Sequence, residues 1–372
     1  MNHRTHQTST AQQKISNFLY PDPTLESGQL PKPLLEFCRN SIEGSKGNLL
    51  YTEPSFFSVP AFTEFDGGEG STLELNGFNA QQVIPLKPLN SSRPVIAIDT
   101  STIKLGEFTD GSLCALRGSV VILQDGRYSY VRYGPLVFSL GGNSLVDLQS
   151  FANIGLTPLH GELNVDGLLK RVRNFLERWL QFNVAKSVRN ALVLIDGSLT
   201  AGTPDNPSKE LERTLQSARS AHSIVVAISK KTKLRIRNQS ITNLLERKSE
   251  PCLLDVDAEI TDQFPPYPVR FLGRVFVGKL ARNGYPFRID VDREILPEDA
   301  VTGIRQLLGS DIVDQGYPET LRIAHILATF TATDVLAIQA FAAASFGIQL
   351  IPKLALRRSL FGPFGTASEA WH

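Results

Sequence analysis

The sequence predicts a mixed α/β fold in which three antiparallel strands are followed by a helix, a strand, a helix and a strand. Two observations support this prediction. Asp125-Gly126 separates two long β-rich runs, and such a pair is a strong signal for a β-hairpin. The hydrophobic period then changes after residue 166, and helical and continuously apolar segments alternate up to Ser229. This alternation excludes a pure sandwich of strands and a pure bundle of helices.

The three antiparallel strands come first in the chain. Residues 94–99 (PVIAID) form an apolar strand that ends at Asp99, and residues 113–124 and 127–140 form the two strands of the hairpin. A helix is expected next, over residues 166–186, because the apolar residues there recur at helical spacing. These residues are Leu168, Leu169, Val172, Phe175, Leu176, Trp179, Leu180 and Val184.

Two further apolar strands are separated by a second helix. The strands are residues 191–196 (ALVLID) and 223–229 (SIVVAIS), and residues 207–221 form an amphipathic helix between them. Together with the preceding elements, this order is that of the ribonuclease H-like fold. We therefore assign residues 91–352 to one domain with this fold.

The N-terminal residues 1–90 differ from the rest of the chain. They show little periodicity and contain several turn-forming groups, such as PDP, PKP and FDGGEG. Short helices are expected near residues 11–19 and 34–41. We expect an extended arm with little core of its own, which is a common way to wrap a partner or a second copy of the chain.

The C-terminal region adds further elements. We expect an added pair of strands (VRFLGRVFVGKL and YPFRIDV), a helix over residues 295–310, and one long helix from about Pro318 to Phe346. Residues 335–351 carry no charge, but they fall short of the roughly 20 residues needed to cross a membrane. They are interpreted as a buried helix that leads into a strand, and residues 353–372 as a tail.

The composition excludes several classes of protein. Thirty-eight Lys and Arg residues against 37 Asp and Glu residues give a net charge of +1, which argues against an acidic disordered protein or a polybasic membrane binder. A DNA-binding site must therefore come from local placement of charges. Three cysteines without a close pair support neither a disulfide framework nor a structural zinc site, and they fit a reducing cytosol.

Three carboxylates are candidates for catalytic chemistry. Asp99 and Asp196 each end a predicted buried strand, and Glu177 lies on the helix between them. Together they could hold two divalent cations about 3.5–4 Å apart, an arrangement that activates water for phosphodiester hydrolysis. Oxygen ligands favour magnesium or manganese over zinc. The alternatives are turn-forming or helix-capping aspartates and a helix-surface pair between Arg173 and Glu177.

Five segments are spread in order over most of the chain: AIDTS, FLERWL, LVLIDGSL, AISKKTK and GYPETLRIAHILA. They resemble, in the same order, segments of the NurA family, which comprises archaeal and bacterial DNA end-resection nucleases with a ribonuclease H-like fold. Thr100 departs from the pattern, since Asp-Gly-Ser is more usual in the first motif. The family pattern supplies four active-site and metal-binding residues, namely Asp99, Glu177, Asp196 and His325.

The resemblance also implies an activity and partners. It implies a deoxyribonuclease that depends on manganese, or alternatively on magnesium, and that acts as an exonuclease and a single-strand endonuclease. The apolar, small-residue helix over residues 324–346 and the N-terminal arm together suggest a homodimer. The resemblance further implies that this dimer docks on the hexameric ATPase HerA and has a role in resecting double-strand breaks during DNA repair and homologous recombination. The expected location is cytoplasmic and nucleoid-associated, without membrane contact. The sequence contains no GxxxxGK[ST] loop, so any ATP hydrolysis must come from a partner.

Five cations occur within eight residues directly after the predicted strand 223–229. They are Lys230, Lys231, Lys233, Arg235 and Arg237. Their position beside the predicted carboxylates favours contacts with the DNA backbone, and Lys230 is the best candidate to reach into the site. A solvated surface is the alternative.

His325 has two interpretations. Its predicted helix is rich in packed apolar residues, which is typical of a core histidine that bonds a backbone carbonyl. The YP-x3-R-x2-H arrangement, however, matches the NurA pattern. In that context a neutral imidazole could bind manganese or hold the attacking water.

Two other functions stay open on the sequence alone. An actin-like or sugar-kinase-like phosphotransferase has a related sheet with aspartates at strand ends, although its second glycine-rich phosphate loop has no counterpart here. A catalytically silent clamp subunit of a DNA-processing complex would keep the acids for structural reasons. ATP binding by the isolated chain would indicate the first function, and manganese titration separates the second from a nuclease.

Overall fold

The computed structural model describes residues 30–52, 73–75, 83–141, 165–202, 206–236, 238–261 and 269–353. Within these ranges the chain forms strands, α-helices and one short 3₁₀-helix over Ile241–Leu245. The helix predicted near residues 11–19 lies outside the described residues, as does the tail beyond residue 353.

The described helices and strands have the following bounds. The helices are α1 (Lys32–Glu43), α2 (Val165–Ser187), α3 (Ser208–Ser220), α4 (Asp257–Thr261), α5 (Pro297–Ser310), α6 (Glu319–Ala328) and α7 (Ala332–Phe346). The strands are β1 (Leu49–Thr52), β2 (Leu73–Leu75), β3 (Ile84–Pro85), β4 (Val95–Phe108), β5 (Gly111–Gln124), β6 (Arg127–Gly141), β7 (Leu192–Asp196), β8 (Thr200–Ala201), β9 (Ile224–Ser229), β10 (Leu234–Ile236), β11 (Gln239–Ser240), β12 (Cys252–Asp255), β13 (Arg270–Phe271), β14 (Gly273–Lys279), β15 (Pro286–Asp292), β16 (Val313–Asp314), β17 (Tyr317–Pro318) and β18 (Gln349–Pro352).

A mixed sheet of 11 strands organises the domain. β4, β5 and β6 pair in antiparallel order, and positive φ angles at Asp125 and Gly126 form the predicted hairpin turn. β7 pairs in parallel with the start of β4, and β9 pairs in parallel with β7. The spatial order β6-β5-β4-β7-β9, with α2 and α3 as the intervening helices, confirms the predicted ribonuclease H-like fold.

Helices cover both faces of this core because its strands are apolar on both sides. Ile96 and Ile98 face α2 and α3 and belong to one hydrophobic cluster. Val95 and Ala97 alternate with them and belong to a second cluster with α5 and α6. The site residues described below are therefore approached by α2 from one face and by α6 from the other.

The sheet extends beyond this core at both edges. The predicted added pair of strands is β14 and β15, and β15 pairs antiparallel with β9. β12 and β3 continue that edge. At the other side, β1 pairs with the far end of β4, and β18 pairs in parallel with β1.

The described part of the N-terminal region packs against the domain. β1 joins the main sheet, and α1 buries Leu34, Phe37 and Cys38 in the cluster that also contains Phe138 of β6. The rings of Phe37 and Phe138 lie 5.6 Å apart between centroids. Over these residues the chain differs from the expected arm, because α1 has an apolar face that needs a partner surface.

The predicted long C-terminal helix is in fact two helices. α6 ends at Ala328, and Thr331 caps α7 by a reciprocal capping box with Asp334. α7 is also less buried than predicted, since the side chains of Leu336 and Phe341 are 45% and 54% exposed. The strand expected after it is present as β18.

Length and apolar composition alone would allow the stretch Glu319–Phe346 to cross a membrane. One such stretch is weak support for a span, because core helices of folded domains have the same composition. Here the stretch is interrupted between α6 and α7, and it contains His325 and the ion-paired Asp334. Since ionisable groups are costly inside a bilayer, we interpret α6 and α7 as parts of the packed domain.

Arg117 of β5 holds the junction between α6 and α7. Its buried guanidinium donates to the two carboxylate oxygens of Asp334 at 2.9 and 3.2 Å, and to the carbonyl of Thr329 at 3.0 Å. It also lies 4.3 Å from the ring centroid of Phe330. This guanidinium holds the pKa of Asp334 well below its usual range. The position of α6, which carries His325, therefore depends partly on an ion pair between the buried Arg117 and the partly exposed Asp334.

Asp334→Asn should destabilise the protein in a pH-dependent way. A carboxyl whose pKa is lower in the folded state stabilises that state above the unfolded pKa of about 4, and the contribution is lost as the pH falls through the folded pKa. At pH 7 the substitution should lower the free energy of unfolding by on the order of 1–3 kcal/mol, because Arg117 loses its charged partner. The difference should shrink below about pH 4, which urea unfolding at several pH values measures.

The control is Glu36→Gln, which removes the exposed pair between Lys32 and Glu36. An exposed pair contributes little, so this change should cost less than about 0.5 kcal/mol at every pH. If Asp334→Asn has the same free energy of unfolding as the wild type at pH 7, the ion pair between Arg117 and Asp334 does not stabilise the fold.

Candidate active site

Asp99 and Asp196 lie on neighbouring strands at the carboxyl end of β7. The parallel pairing of β4 and β7 ends with Ile98 opposite Ile195, so Asp99 and Asp196 follow directly on neighbouring strands. Asp196 is the last residue of β7, as predicted. Asp99, in contrast, does not end its strand, because β4 continues to Phe108 by pairing with β5. The apolar run that ends at Asp99 predicts a strand end there, but pairing with β5 extends the strand.

α6 places His325 above this edge of the sheet. Nδ1 of His325 lies 2.8 Å from Oδ2 of Asp99, and the backbone amide of Thr100 donates to Oδ1 of Asp99 at 2.7 Å. Asp99, Asp196 and His325 each offer one atom that could bind a metal ion. These three atoms lie within 4.8 Å of one another. Two carboxylate oxygens and one imidazole nitrogen form a donor set that suits manganese. The side chains are partly exposed, so the cluster is open to solvent and to a substrate.

Glu177 lies beside this cluster, on the α2 side of the sheet. Its Oε2 accepts a hydrogen bond from the hydroxyl of Thr100 at 3.4 Å, and its Oε1 accepts one from Nε2 of Gln181 at 2.9 Å. Glu177 is not in the group of three whose ligand atoms lie within 4.8 Å. The residue that departs from the family motif, Thr100, is thus a direct contact of this carboxylate.

Burial and repulsion between acids dominate the electrostatics of the site. Burial raises the pKa of Glu177, and the charges of Asp99 and Asp196 add to this effect against two nearby arginines. Burial also raises the pKa of Asp196, with Asp99 adding to it and Lys230 opposing it. The hydrogen bond to Asp99 raises the pKa of His325, although burial opposes the change. A divalent cation would relieve this concentration of negative charge.

The structure brings Lys230 into the site. Its Nζ lies 2.9 Å from Oδ2 of Asp196 and 5.4 Å from the ring centroid of Tyr317. The other described members of the basic run, Lys231, Lys233 and Arg235, are exposed on the segment after β9. The last member, Arg237, lies outside the described residues.

The sequence interpretation missed the polar residues behind Glu177. Gln181 is completely buried, one turn after Glu177 on the same helix. The sequence could have indicated Gln181 as a neighbour of Glu177, because residues at i and i+4 are adjacent on a helix surface. The contact of Arg178 with Asn206 carries no such signal, since Asn206 lies on another element.

The sheet order, with two aspartates and a histidine together at the carboxyl ends of its parallel strands, places the protein in the ribonuclease H-like class. The family model of the NurA domain matches residues 93–330. The chain therefore belongs to the NurA family of nucleases.

Solved structures of similar fold include nucleases of two families. The NurA nuclease from Sulfolobus solfataricus is 13% identical with a TM-score of 0.44, and the match covers 71% of this chain and 88% of that one. A NurA bound to dAMP and manganese is 9% identical with a TM-score of 0.36, covering 67% and 88%. Endonuclease V from Ciona intestinalis, in complex with a DNA 24mer that contains inosine, is 11% identical with a TM-score of 0.35, covering 69% and 92%. Comparison with curated proteins finds no match.

Glu177→Gln should stabilise the metal-free protein. A carboxyl whose pKa is raised by folding destabilises the native state once the pH exceeds the unfolded value of about 4.3, and the effect grows up to the raised folded pKa. The amide keeps the shape of the side chain without its charge. We expect a melting temperature about 2 °C higher at pH 8 and little change at pH 4.

Calorimetry with and without manganese tests this prediction. Manganese should raise the melting temperature of the wild type more than that of Glu177→Gln, because the cation stabilises only a protein that binds it well. The difference between the two proteins should then disappear. The exposed Glu36 provides the control, and Glu36→Gln should not change the melting temperature at either pH. A lower melting temperature of Glu177→Gln at pH 8 would mean that the ionised carboxylate stabilises the fold.

Proposed function

We propose that the chain is a manganese-dependent deoxyribonuclease that acts as an exonuclease and as an endonuclease on single strands. The observation that carries the proposal is the convergence of Asp99, Asp196 and His325 within 4.8 Å at the edge of a ribonuclease H-like sheet. Membership in the NurA family supports the reaction class. A NurA bound to dAMP and manganese supports the choice of metal and of a deoxyribonucleotide substrate.

The residues have distinct roles in this proposal. Asp99, Asp196 and His325 hold the cation, and Glu177 provides a further carboxylate from the α2 side for a second cation. Bound manganese would activate the attacking water and stabilise the leaving oxygen of the phosphodiester. Asp99 also orients the imidazole of His325, since a hydrogen bond to one ring nitrogen fixes the direction of the other. The ammonium of Lys230 balances the charge of Asp196 and can contact a phosphate of the substrate.

Removing any of the three clustered ligands should abolish or strongly reduce cleavage. Asp99→Ala and Asp196→Ala should each lower turnover by several orders of magnitude, because the cation cannot keep its place. His325→Ala should cost at least about a hundredfold with little change in DNA affinity, and His325→Gln should also fail if the ring binds metal. End-labelled single- and double-stranded DNA, with and without manganese, provide the assay.

The matched control is Asp110→Ala, which removes an exposed acid at the turn between β4 and β5. It should cut DNA at the wild-type rate. Near-normal cleavage by Asp99→Ala or Asp196→Ala would disprove the metal assignment, and manganese-independent cleavage by the wild type would disprove the cofactor. A wild-type chain that binds manganese but cleaves no DNA would support a silent clamp subunit.

The basic run after β9 should bind the DNA backbone. Replacing Lys231, Lys233 and Arg235 by Gln should weaken binding similarly for all sequences, because phosphate contacts carry no sequence information. The slope of log affinity against log salt should flatten by about 0.7–0.9 for each phosphate that the variant no longer neutralises. Fluorescence anisotropy at several salt concentrations measures the slope.

A control variant replaces three exposed cations by Gln, namely Lys32 and Arg39 of α1 and Lys46 in the turn after it. It makes the same change in net charge away from the candidate site, so its salt slope should stay close to that of the wild type. If the variant with Lys231, Lys233 and Arg235 replaced keeps the wild-type slope of log affinity against log salt, these side chains do not contact phosphates. The run after β9 is then solvated surface.

We further propose a homodimer that uses α7 and β18. Leu336 and Phe341 of α7 and Leu350 of β18 are 45%, 54% and 40% exposed. Within the described residues β18 pairs only with β1, so it also leaves one edge of backbone groups open. Exposed apolar side chains beside an open strand edge are typical of an interaction surface.

Phe341→Glu should convert the dimer into a monomer, because a charge cannot be buried in an apolar interface. Light scattering at micromolar concentration measures the mass. Leu296→Glu is the control, since Leu296 is 60% exposed beside α5, which packs at a different part of the sheet. A wild-type protein that is monomeric throughout this concentration range contradicts the proposal.

Family membership is the reason to propose a biological setting for the nuclease. We propose that the nuclease works with a HerA-type hexameric ATPase in double-strand-break resection, in the cytoplasm at the nucleoid. The lack of a Walker loop in the sequence and three free, buried cysteines support this setting. Adding a HerA-type ATPase and ATP to the nuclease assay tests the partnership, because degradation of double-stranded ends should then increase.

A further inference from the structure

We infer that Gln181 is a positioning residue for Glu177, and that Arg178 and Asn206 hold Gln181 in turn. The inference rests on the proposed function, since it concerns how Glu177 is presented to a cation. It assigns a role in metal affinity to residues that do not touch the metal or the substrate themselves.

Both polar atoms of the Gln181 side chain are used. Nε2 donates to Oε1 of Glu177 at 2.9 Å, and Oε1 accepts from Nη1 of Arg178 at 2.6 Å. Because a guanidinium can only donate, it fixes the orientation of the amide and directs the NH₂ group to Glu177. Gln181 is 0% exposed, so water cannot replace either contact. The amide therefore has one hydrogen-bonding arrangement that satisfies both neighbours.

Arg178 connects this pair to the segment that follows β7. Its Nη2 donates to Oδ1 of Asn206 at 2.8 Å, and Nδ2 of Asn206 donates to the carbonyl of Thr200 at 2.8 Å. The series Glu177–Gln181–Arg178–Asn206 thus runs from the acid on α2 to the loop after Asp196. It couples the two sides of the candidate site through hydrogen bonds.

The loop at the far end of this series is itself held firmly. Arg288 donates to Oγ1 of Thr200 at 2.9 Å, and Oδ2 of Asp290 accepts from the amide of Leu199 at 3.0 Å. Arg288 and Asp290 form a buried ion pair on β15. Ser229 donates to the carbonyl of Gly197 at 2.6 Å. Thr200, whose carbonyl accepts from Asn206, therefore lies in a segment held by several hydrogen bonds.

A neutral amide between Arg178 and Glu177 has a specific physical advantage. A guanidinium bonded directly to the carboxylate would satisfy both oxygens and compete with a cation for them. Gln181 instead holds one oxygen with an uncharged donor and leaves the carboxylate its negative charge. The geometry is typical of residues that orient metal ligands from behind, whose loss costs about 10–100-fold in metal affinity.

The test measures manganese affinity directly, by calorimetric titration of manganese chloride into the full chain without DNA. Gln181→Met keeps the volume of the side chain but cannot donate to Glu177, so manganese should bind about tenfold more weakly. Cleavage at saturating manganese should recover most of the wild-type rate, because the ligand itself is retained. Arg178→Met should weaken binding similarly, and the double variant should be little worse than either, because both act through one series.

Gln339→Met is the matched control for loss of a buried glutamine. Gln339 is also buried, and its Nε2 donates at 2.7 Å to the carbonyl of Leu105, which lies on β4 five residues beyond Thr100, the contact of Glu177. This variant should lose stability comparable to Gln181→Met but keep wild-type manganese affinity. If Gln181→Met does not fold, Asn206→Ala takes its place, because it removes the acceptor for Arg178 outside the helix and should weaken binding in the same direction.

The outcomes separate this inference from the proposed function. If the wild type binds no manganese, the proposed metal site itself is wrong. If Glu177→Gln weakens manganese binding but Gln181→Met, Arg178→Met and Asn206→Ala do not, the site stands and the positioning role is overturned. Equal decreases of affinity in Gln181→Met and Gln339→Met would also overturn it, because they would reflect stability alone.

Discussion

The parallel pairing of β4 with β7 is the constraint on which the candidate site depends. It ends with Ile98 opposite Ile195, so the next residue on each strand is an aspartate. A shift of the register by one residue would turn one of these side chains to the opposite face of the sheet. The buried, apolar residues before each aspartate hold the register, because both faces of the two strands are covered by helices.

This arrangement concentrates negative charge from Asp99, Asp196 and the neighbouring Glu177 at partly buried positions. The charge is distributed among partners of different kinds: an imidazole at Asp99, an ammonium at Asp196, and hydroxyl and amide donors at Glu177. None of these contacts is a bidentate guanidinium pair of the kind that Arg117 forms with Asp334. The fold thus fixes a helix with a strong ion pair, whereas the acids of the candidate site make contacts that a cation could replace.

The two faces of the sheet support the site through separate polar contacts. On the α6 face, Ser119 donates to the carbonyl of Ala324 at 2.6 Å, and Arg117 holds the segment after α6. On the α2 face, Gln181 and Arg178 connect Glu177 to the loop after β7. A cluster held from both sides loses little conformational freedom when it binds a cation, which is the general advantage of a preorganised site.

The sequence by itself determined the order of elements, the hairpin at Asp125-Gly126 and the acids Asp99 and Asp196 as candidates, because these depend on local periodicity and turn chemistry. Only the tertiary structure decided that β4 continues past Asp99 and that β1 joins the sheet, since both depend on pairing between distant segments. The break before α7 is stabilised by Arg117, more than two hundred residues earlier in the chain. The contact between Arg178 and Asn206 is equally invisible in the sequence, because the two residues lie on different elements and share no period. Local patterns predict which segments form strands and helices, whereas the partners of buried polar groups are chosen by packing.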